Sequence, residues 1–288
     1  MIDLHIHTSA SSDGQHSVDE IFSIAKSLGI KAIAITDHNS AASIPKGVKI
    51  KEKYNIEFIP AIELNTEING EDLHLLGYFI PYKNEEFIDW LKGLNGVKIK
   101  QSLKRANLLK KIGFNISEQE VSERCKEKPM SGPAFFYFLQ EKQENLKLLE
   151  PYITGNKKGK AAINFYLDFF DSGKPAYLPP PFIKTNEAVC KLLQFKSVPV
   201  VAHPVTVSDN SLFKAIKSGI LGLEAFSTYH KDDEILKYKK LAEEKNLLIT
   251  YGSDFHGDKV KPHIKMKLYN SSSLDALKKL KEKAEEIK

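Results

Sequence analysis

Two stretches at opposite ends of the chain each finish in a pair of side chains able to ligate a metal: Asp3-Leu4-His5-Ile6-His7, and Gly252-Ser253-Asp254-Phe255-His256. In an extended strand, residues i and i+2 point to the same face. His5 with His7, and Asp254 with His256, can therefore each converge on one ion without bending the backbone. Two such pairs so far apart in sequence imply a fold that closes on itself around metal.

The segments that must position these residues alternate between strand and helix. A strand at 2–7 precedes a helix at 18–28, begun by the capping box of Ser17 and Glu20. A buried strand at 31–36 closes at Asp37-His38, and a helix at 40–53 follows, bent or delayed by Pro45. Strands at 57–64, closing at Glu63, and 73–80, containing His74, complete the first part. Later the alternation resumes: helix 185–195, strand 197–202 closing at His203, helix 209–218, strand 221–226, helix 231–245, strand 247–251 leading to Asp254, and helix 273–287. Such alternation predicts a parallel sheet or barrel.

Between them, residues 84–170 read as helix after helix (87–94, 99–112, 117–125 and 133–142), followed by a Gly- and Lys-rich loop at 155–159. We expect a barrel of residues 1–83 and 171–288 with a helical insertion at 84–170. Its aromatic residues, Phe135, Phe136, Tyr137, Phe138, Phe165, Tyr166, Phe169 and Phe170, read as the insertion's own core.

His5, His7, His38, Glu63, His74, His203, Asp254 and His256 all lie at or near strand segments, and Asp13 follows the first strand in a short loop. Functional sites of α/β barrels form at the carboxyl ends of the strands. A single histidine there is commonly structural, and Asp37 could merely cap a helix, but the joint pattern points to metal. His16 and His263 sit in polar, turn-like surroundings and read as surface residues.

In order, His5-x-His7, Asp13, Thr36-Asp37-His38, Glu63, His74, Ala202-His203-Pro204 and Gly252-Ser-Asp-x-His256 resemble the ligand set of the PHP (polymerase and histidinol phosphatase) domain family. The resemblance covers about residues 1–80 and 175–260, and it implies an α/β fold, a distorted (β/α)7 TIM-like barrel with an inserted helical subdomain. It also implies two or three divalent ions (Mn, Zn or Fe). One would be held by His5, His7, Glu63 and Asp254, a second by Glu63, His74 and His203, and a third by Asp13, His38 and His256. The implied activity is phosphoester hydrolysis by metal-activated water, on a small phosphorylated metabolite or nucleotide. Asp37 and His230 are the candidate catalytic residues beside the metals.

The chain departs from the bisphosphate-cleaving branch of that family where the insertion should grip a substrate phosphate. Ser131 is present, but Gly132 and Ala134 replace an arginine and a histidine, Tyr137 stands for a further arginine, and Asp168 for a lysine. Losing a guanidinium that binds phosphate through two bonds is not conservative. Candidate substrate contacts are then Ser131, Arg105, Lys157, Lys158 and His230. Trimming of short oligonucleotide ends, or a metal-binding barrel without turnover serving as a regulatory module, are the alternative readings. An amidohydrolase would add a bridging lysine, and none stands at a strand end.

The net charge of +5 comes from dispersed lysine, and the only arginines are Arg105 and Arg124; duplex DNA binding is not expected. No apolar run is long enough to span a membrane, and Asp3, His5 and His7 interrupt any signal-peptide core; a cytoplasmic protein is expected. Cys125 and Cys190 lack the spacing of a disulfide or zinc site, and Cys190, in an apolar helical run, reads as buried.

Overall fold

The computed structural model describes residues 1–126, 128–179, 181–266 and 272–288. The chain divides into two compact units, one of Met1–Leu91 with Phe182–Lys288 and one of Lys92–Pro181.

In the first unit the strands are β1 (Ile2–Ile6), β2 (Ala32–Ile35), β3 (Glu57–Ile68), β4 (Glu71–Tyr78), β5 (Ile183–Lys184), β6 (Val198–Val201), β7 (Gly222–Ser227) and β8 (Leu248–Gly252). They form one sheet in the order β1-β2-β3-β4-β6-β7-β8, with β5 paired to β3. Just past the end of β8, Phe255 bridges back to Ile6, so the sheet is nearly closed into a barrel. The mixed α/β barrel expected from the motifs is therefore the fold.

One strand breaks the expected parallel arrangement. β4 runs antiparallel to both β3 and β6. The cause is local: Asn69 and Gly70 both take positive φ, 54° and 83°, which is the backbone of a two-residue hairpin. The hairpin also extends β3 beyond its expected end and sets its register, with Asn65 opposite His74 and Glu63 opposite Leu76. Glu63, Asn65 and His74 consequently share one face.

The helices of this unit are α1 (Val18–Ser27) and α2 (Ile44–Tyr54), the start of α3 (Glu85–Ile112), then α8 (Thr185–Gln194), α9 (Asp209–Lys217), α10 (Asp232–Glu244) and α11 (Ser272–Glu286). Ser17 and Glu20 make the expected capping box of α1. Its buried stripe, Val18, Ile21, Phe22 and Ala25, has helical spacing, and Phe22 meets Phe58 of β3 at 5.6 Å. Pro45 falls in the first turn of α2, where its missing N–H costs nothing; it delays the helix and does not bend it. A single core joins Ile59 and Ala61 of β3, Leu76 and Tyr78 of β4, Val198 and Val200 of β6, and Leu277 and Leu280 of α11. On β3 the residue two beyond Ala61 is Glu63, so the face that carries this core also carries a carboxylate.

The second unit holds the rest of α3 with α4 (Glu118–Arg124), α5 (Gly132–Gln140), α6 (Leu146–Ile153) and α7 (Ala161–Phe169). Two helices expected at 87–94 and 99–112 are one, which runs on through Gly93 and Gly96. Phe135, Phe136, Phe138, Phe165 and Phe170 are buried in this unit's own core with Phe169 packed against it, whereas Tyr137 and Tyr166 are exposed. Cys190 corrects an expectation: it lies on the outer side of α8 and is exposed, while Ala188, Val189 and Leu192 take the inward positions. No helix among the described residues is long and apolar enough to cross a membrane.

Candidate metal centre

β1, β3 and β4, together with the segments just past β2, β6 and β8, bring the expected residues together. His5 and His7 follow the strand alternation of β1, and both are fully buried. His38 comes just past β2 and is bridged in parallel to Glu63. His203 and Asp254 turn inward through left-handed backbone, φ 25° and 57°, a conformation that costs a non-glycine residue about 1–3 kcal/mol and is found where function requires it.

Glu63 stands at the middle. Its Oε2 lies 3.0 Å from His7 Nε2, 3.3 Å from His5 Nε2 and 3.3 Å from His38 Nδ1. Its Oε1 lies 2.9 Å from His74 Nδ1 and 3.3 Å from His203 Nε2. Asp254 Oδ1 is 3.1 Å from Nε2 of both His5 and His7. Asp13 Oδ2 faces His38 Nε2 at 3.6 Å and His256 Nε2 at 3.5 Å.

Three groups of donor atoms are close enough to hold an ion: His5, His7, Glu63 and Asp254; His7, Asp13, His38 and His256; and His38, Glu63 and His74. His203 joins none of them but faces the same Glu63 oxygen as His74.

The atoms fit metal better than hydrogen bonds. Among the described residues, His5 Nε2, His7 Nε2, His38 Nδ1, both Glu63 oxygens, Asp254 Oδ1 and His256 Nε2 are buried without a hydrogen-bond partner. Buried polar atoms are rarely left so. One ring nitrogen carries at most one proton, yet His5 Nε2 and His7 Nε2 each face two carboxylate oxygens. Ligand bonds of ~2.1 Å put neighbouring donors about 3.0–3.4 Å apart around one ion, and the donors here are 3.0–3.3 Å apart. A divalent cation among His5, His7, Glu63 and Asp254 would satisfy these four donors at once.

The electrostatics agree. Burial raises the carboxyl groups of Glu63, Asp254 and Asp13, yet the surrounding imidazoles hold all three well below the ordinary range. Burial also works against protonating His7, but the adjacent carboxylates of Asp254 and Glu63 carry it up to about 9. His74 rises to about 10, against its burial, chiefly through Glu63. The carboxylates thus collect positive charge from whatever is near.

Other candidate residues sit outside this cluster. Asp37 spends both oxygens on Thr8, Oδ1 accepting its N–H at 2.7 Å and Oδ2 its hydroxyl at 2.8 Å; it ties the loop after β1 to the end of β2. His230 is buried, its Nδ1 2.8 Å from the Ala225 carbonyl oxygen and its ring 4.8 Å from that of Tyr238. In the second unit, Ser131 caps α5 by accepting the N–H of Ala134, and Lys157 pairs with Asp168 at 2.5 Å. Arg105 lies over the ring of Phe170 at 4.7 Å, and Lys158 is exposed. A side chain at position 132 would meet the ring of Tyr166 at 2.3 Å, so the space of an arginine there is filled. His16 is not a plain surface residue; it is half-buried and stacks on Phe255 at 5.7 Å. His263 is exposed.

Four residues beside the cluster were missed from sequence. Tyr229 and Lys261 both hold the outer oxygen of Asp254, at 2.6 and 2.7 Å; Lys261 lies in an irregular loop and gives no local signal. Asp3 is buried two residues before His5, accepts the Ser253 N–H at 2.9 Å, and is pushed by burial up to about 7. Glu224 is fully buried beside His5. Asp3 could have been found by extending the alternation of β1 backward, and Glu224 as a carboxylate inside an otherwise apolar strand.

Comparison with known proteins gives concordant results. The family model described as "PHP domain" matches residues 3–155, more than half of the chain. A phosphoribosyl 1,2-cyclic phosphate 1,2-diphosphodiesterase of Eggerthella lenta is 24% identical over 88% of this chain and 94% of its own length. A 3',5'-nucleoside bisphosphate phosphatase of Chromobacterium violaceum is 21% identical over 88% of this chain and 87% of its own. Among solved structures, a protein of Bifidobacterium adolescentis described as a metal-dependent phosphoesterase superposes with a TM-score of 0.77, at 20% identity, over 98% of this chain and 96% of that one.

Proposed function

The chain belongs to the PHP domain family and is a metal-dependent phosphoesterase, and from that premise we propose that it hydrolyses a phosphate ester of a small metabolite or nucleotide at the cluster around Glu63. The observation that carries the reading is the set of buried, unpartnered donor atoms that converge there from the strands of the barrel and the residues just past them.

We assign two or three divalent cations to the cluster. A neutral imidazole nitrogen has one lone pair, so His7 serves one ion only, and its spacing to Glu63 and Asp254 gives it to the group with His5. Asp13, His38 and His256 then form a second group. Glu63 with His74 and His203 would form a third, so that Glu63 would serve two of the groups. Mixed imidazole and carboxylate donors suit Mn, Zn or Fe. Cations bound there would supply an activated water and neutralise charge on the phosphoryl group.

The chain's own residues set the geometry. Asp37 orders the Thr8 loop that leads to Asp13, and Tyr229 with Lys261 holds Asp254 so that Oδ1 faces inward. Asp37 enters as a positioning group, since both its oxygens are engaged by Thr8, whereas His230 is held through Nδ1 by the Ala225 carbonyl and keeps Nε2 buried without a hydrogen-bond partner among the described residues. In the helical unit, Lys157 is neutralised by Asp168 and Tyr166 fills the space beside Gly132, which argues against a second phosphate being gripped as in the bisphosphate-cleaving branch.

The test is phosphate release from a panel of phosphomonoesters, cyclic phosphodiesters, nucleoside bisphosphates and short 5'-phosphorylated RNA, with chelated protein as control. The reading predicts turnover that returns on adding Mn2+ or Zn2+, with monoesters or cyclic diesters favoured over bisphosphates. A preference that grows with RNA length would point to end trimming instead, and equal activity in chelated protein would defeat the reading.

A further inference from the structure

Glu224 is a fully buried carboxylate in the middle of β7, between Leu223 and Ala225. It belongs to none of the three donor groups. Its oxygens reach two other elements: Oε1 is 2.9 Å from Nδ1 of His5, and Oε2 accepts the backbone N–H of His203 at 2.8 Å. His5 turns its other nitrogen, Nε2, toward Glu63 and Asp254. Gly252 on the neighbouring strand leaves room for the pair, since a Cβ there would lie 2.2 Å from Glu224 Oε1 and 2.3 Å from His5 Cβ.

We propose that Glu224 is the positioning residue of the metal centre, fixing the tautomer of His5 and the turn that carries His203. The inference rests on the cluster holding cations. The backbone N–H of His203 can only donate, so one end of the residue at 224 must accept. A carboxylate accepts at its other end too, so His5 must place a proton on Nδ1, and its Nε2 is left with a lone pair facing the ions. Coupling of a ligand histidine to a carboxylate through its far nitrogen is a recurrent way of orienting the ring and raising its basicity. Here the same carboxylate also holds the backbone of a second ligand, His203, in its left-handed turn. One residue therefore sets two ligands that come from different strands.

The substitution Glu224→Gln separates this role from simple packing, because it keeps the shape and changes one acceptor into a donor. With the amide oxygen on His203, the amide nitrogen must face His5 Nδ1 and donate to it. The ring then carries its proton on Nε2, where it blocks ligation. Histidine 15N shifts in zinc-loaded protein read this directly, and equilibrium dialysis against zinc reads the affinity. The wild type should show His5 protonated at Nδ1 and bound through Nε2. Glu224→Gln should show His5 protonated at Nε2 and a loss of zinc affinity of about 10–100-fold, with far-UV circular dichroism unchanged. Binding of zinc by the wild type through Nδ1 of His5 would overturn the inference even if the variant failed to fold. So would a folded Glu224→Gln protein that binds zinc through His5 as tightly as the wild type. A wild type that binds no zinc, manganese or iron would instead remove the metal reading on which the inference stands.

Discussion

Adding a single methyl group at Gly252 should damage the metal centre without touching any proposed ligand atom. The Cβ of Gly252→Ala would sit 2.2 Å from Glu224 Oε1, 2.3 Å from His5 Cβ and 3.2 Å from the His5 backbone nitrogen. Ordinary contacts of this kind are near 3.4–4 Å, so the neighbours must retreat by more than 1 Å. Neither has anywhere to go: Glu224 and His5 are both fully buried and hold each other at 2.9 Å. Overpacking of a filled interior costs about 1–3 kcal/mol, and in a domain of this size each kcal/mol lowers Tm by roughly 2–4 °C. We therefore expect a fall of about 2–12 °C in chelated protein. Misplacing a reacting group by ~1 Å costs about 10²-fold in rate, and His5 carries one of the central donor atoms. Hydrolysis of an aryl phosphate by metal-loaded Gly252→Ala should fall by that order, with bound metal reduced in parallel. Wild-type Tm together with wild-type turnover would refute the packing argument and, with it, the coupling of Gly252, Glu224 and His5.

Replacing Glu63 by Gln removes the one carboxylate whose two oxygens face five imidazoles. It should lower bound metal by at least one equivalent and aryl phosphate hydrolysis by 10²-fold or more, on the basis that metal stabilisation is worth several kcal/mol; a fully loaded, active Glu63→Gln would contradict the bridging role. In chelated protein the proton on His7 is retained up to about 9 and on His74 up to about 10, against 6.5 for an unperturbed imidazole. Folded-state values above the unfolded one mean that these pairs contribute stability fully below pH 6.5 and lose it as pH climbs through 9 to 10. Tm of the chelated form should fall over that window and Tm of the metal-loaded form should not, since the cations have displaced those protons. Cys190 is exposed and should be alkylated by iodoacetamide in the native protein, whereas Cys125 is buried, its thiol pushed up by burial, and should react only on unfolding. Equal labelling of both under native conditions would contradict the placement of α8 and of the helical core.

The cluster was legible because its residues obey the two-residue period of a strand and lie in the strands or just past them, with Glu63 and His74 inside β3 and β4. His5-x-His7 and Asp254-x-His256 announce themselves by spacing alone, and Glu63 and His74 emerge once 57–64 and 73–80 are read as strands. The antiparallel course of β4 was not anticipated, although Asn69-Gly70 is a hairpin signal that the alternating rhythm of the neighbouring segments obscured. Glu224 was passed over because a single carboxylate in a strand carries no periodic partner; its meaning depends on His5, which it meets over Gly252 of the intervening β8. Tyr229 and Lys261 become visible only when the loops after β7 and β8 are brought to Asp254. Cys190 was misplaced because an apolar stretch was read without its helical phase: with Ala188, Val189 and Leu192 inward, position 190 must face out. The helical unit was recognisable as helical, but the single 28-residue span of α3 shows that glycine in a helix lowers stability without ending it.

We propose the cluster around Glu63 as the cation site at which hydrolysis takes place. The most direct measurement titrates chelated protein with Mn2+ or Zn2+ while following bound metal by elemental analysis and aryl phosphate hydrolysis in the same samples. We expect activity to appear in step with the second or third equivalent bound, and to vanish with metal in His7→Ala. Hydrolysis by fully chelated protein, or stoichiometric metal in wild type and His7→Ala alike, would contradict it.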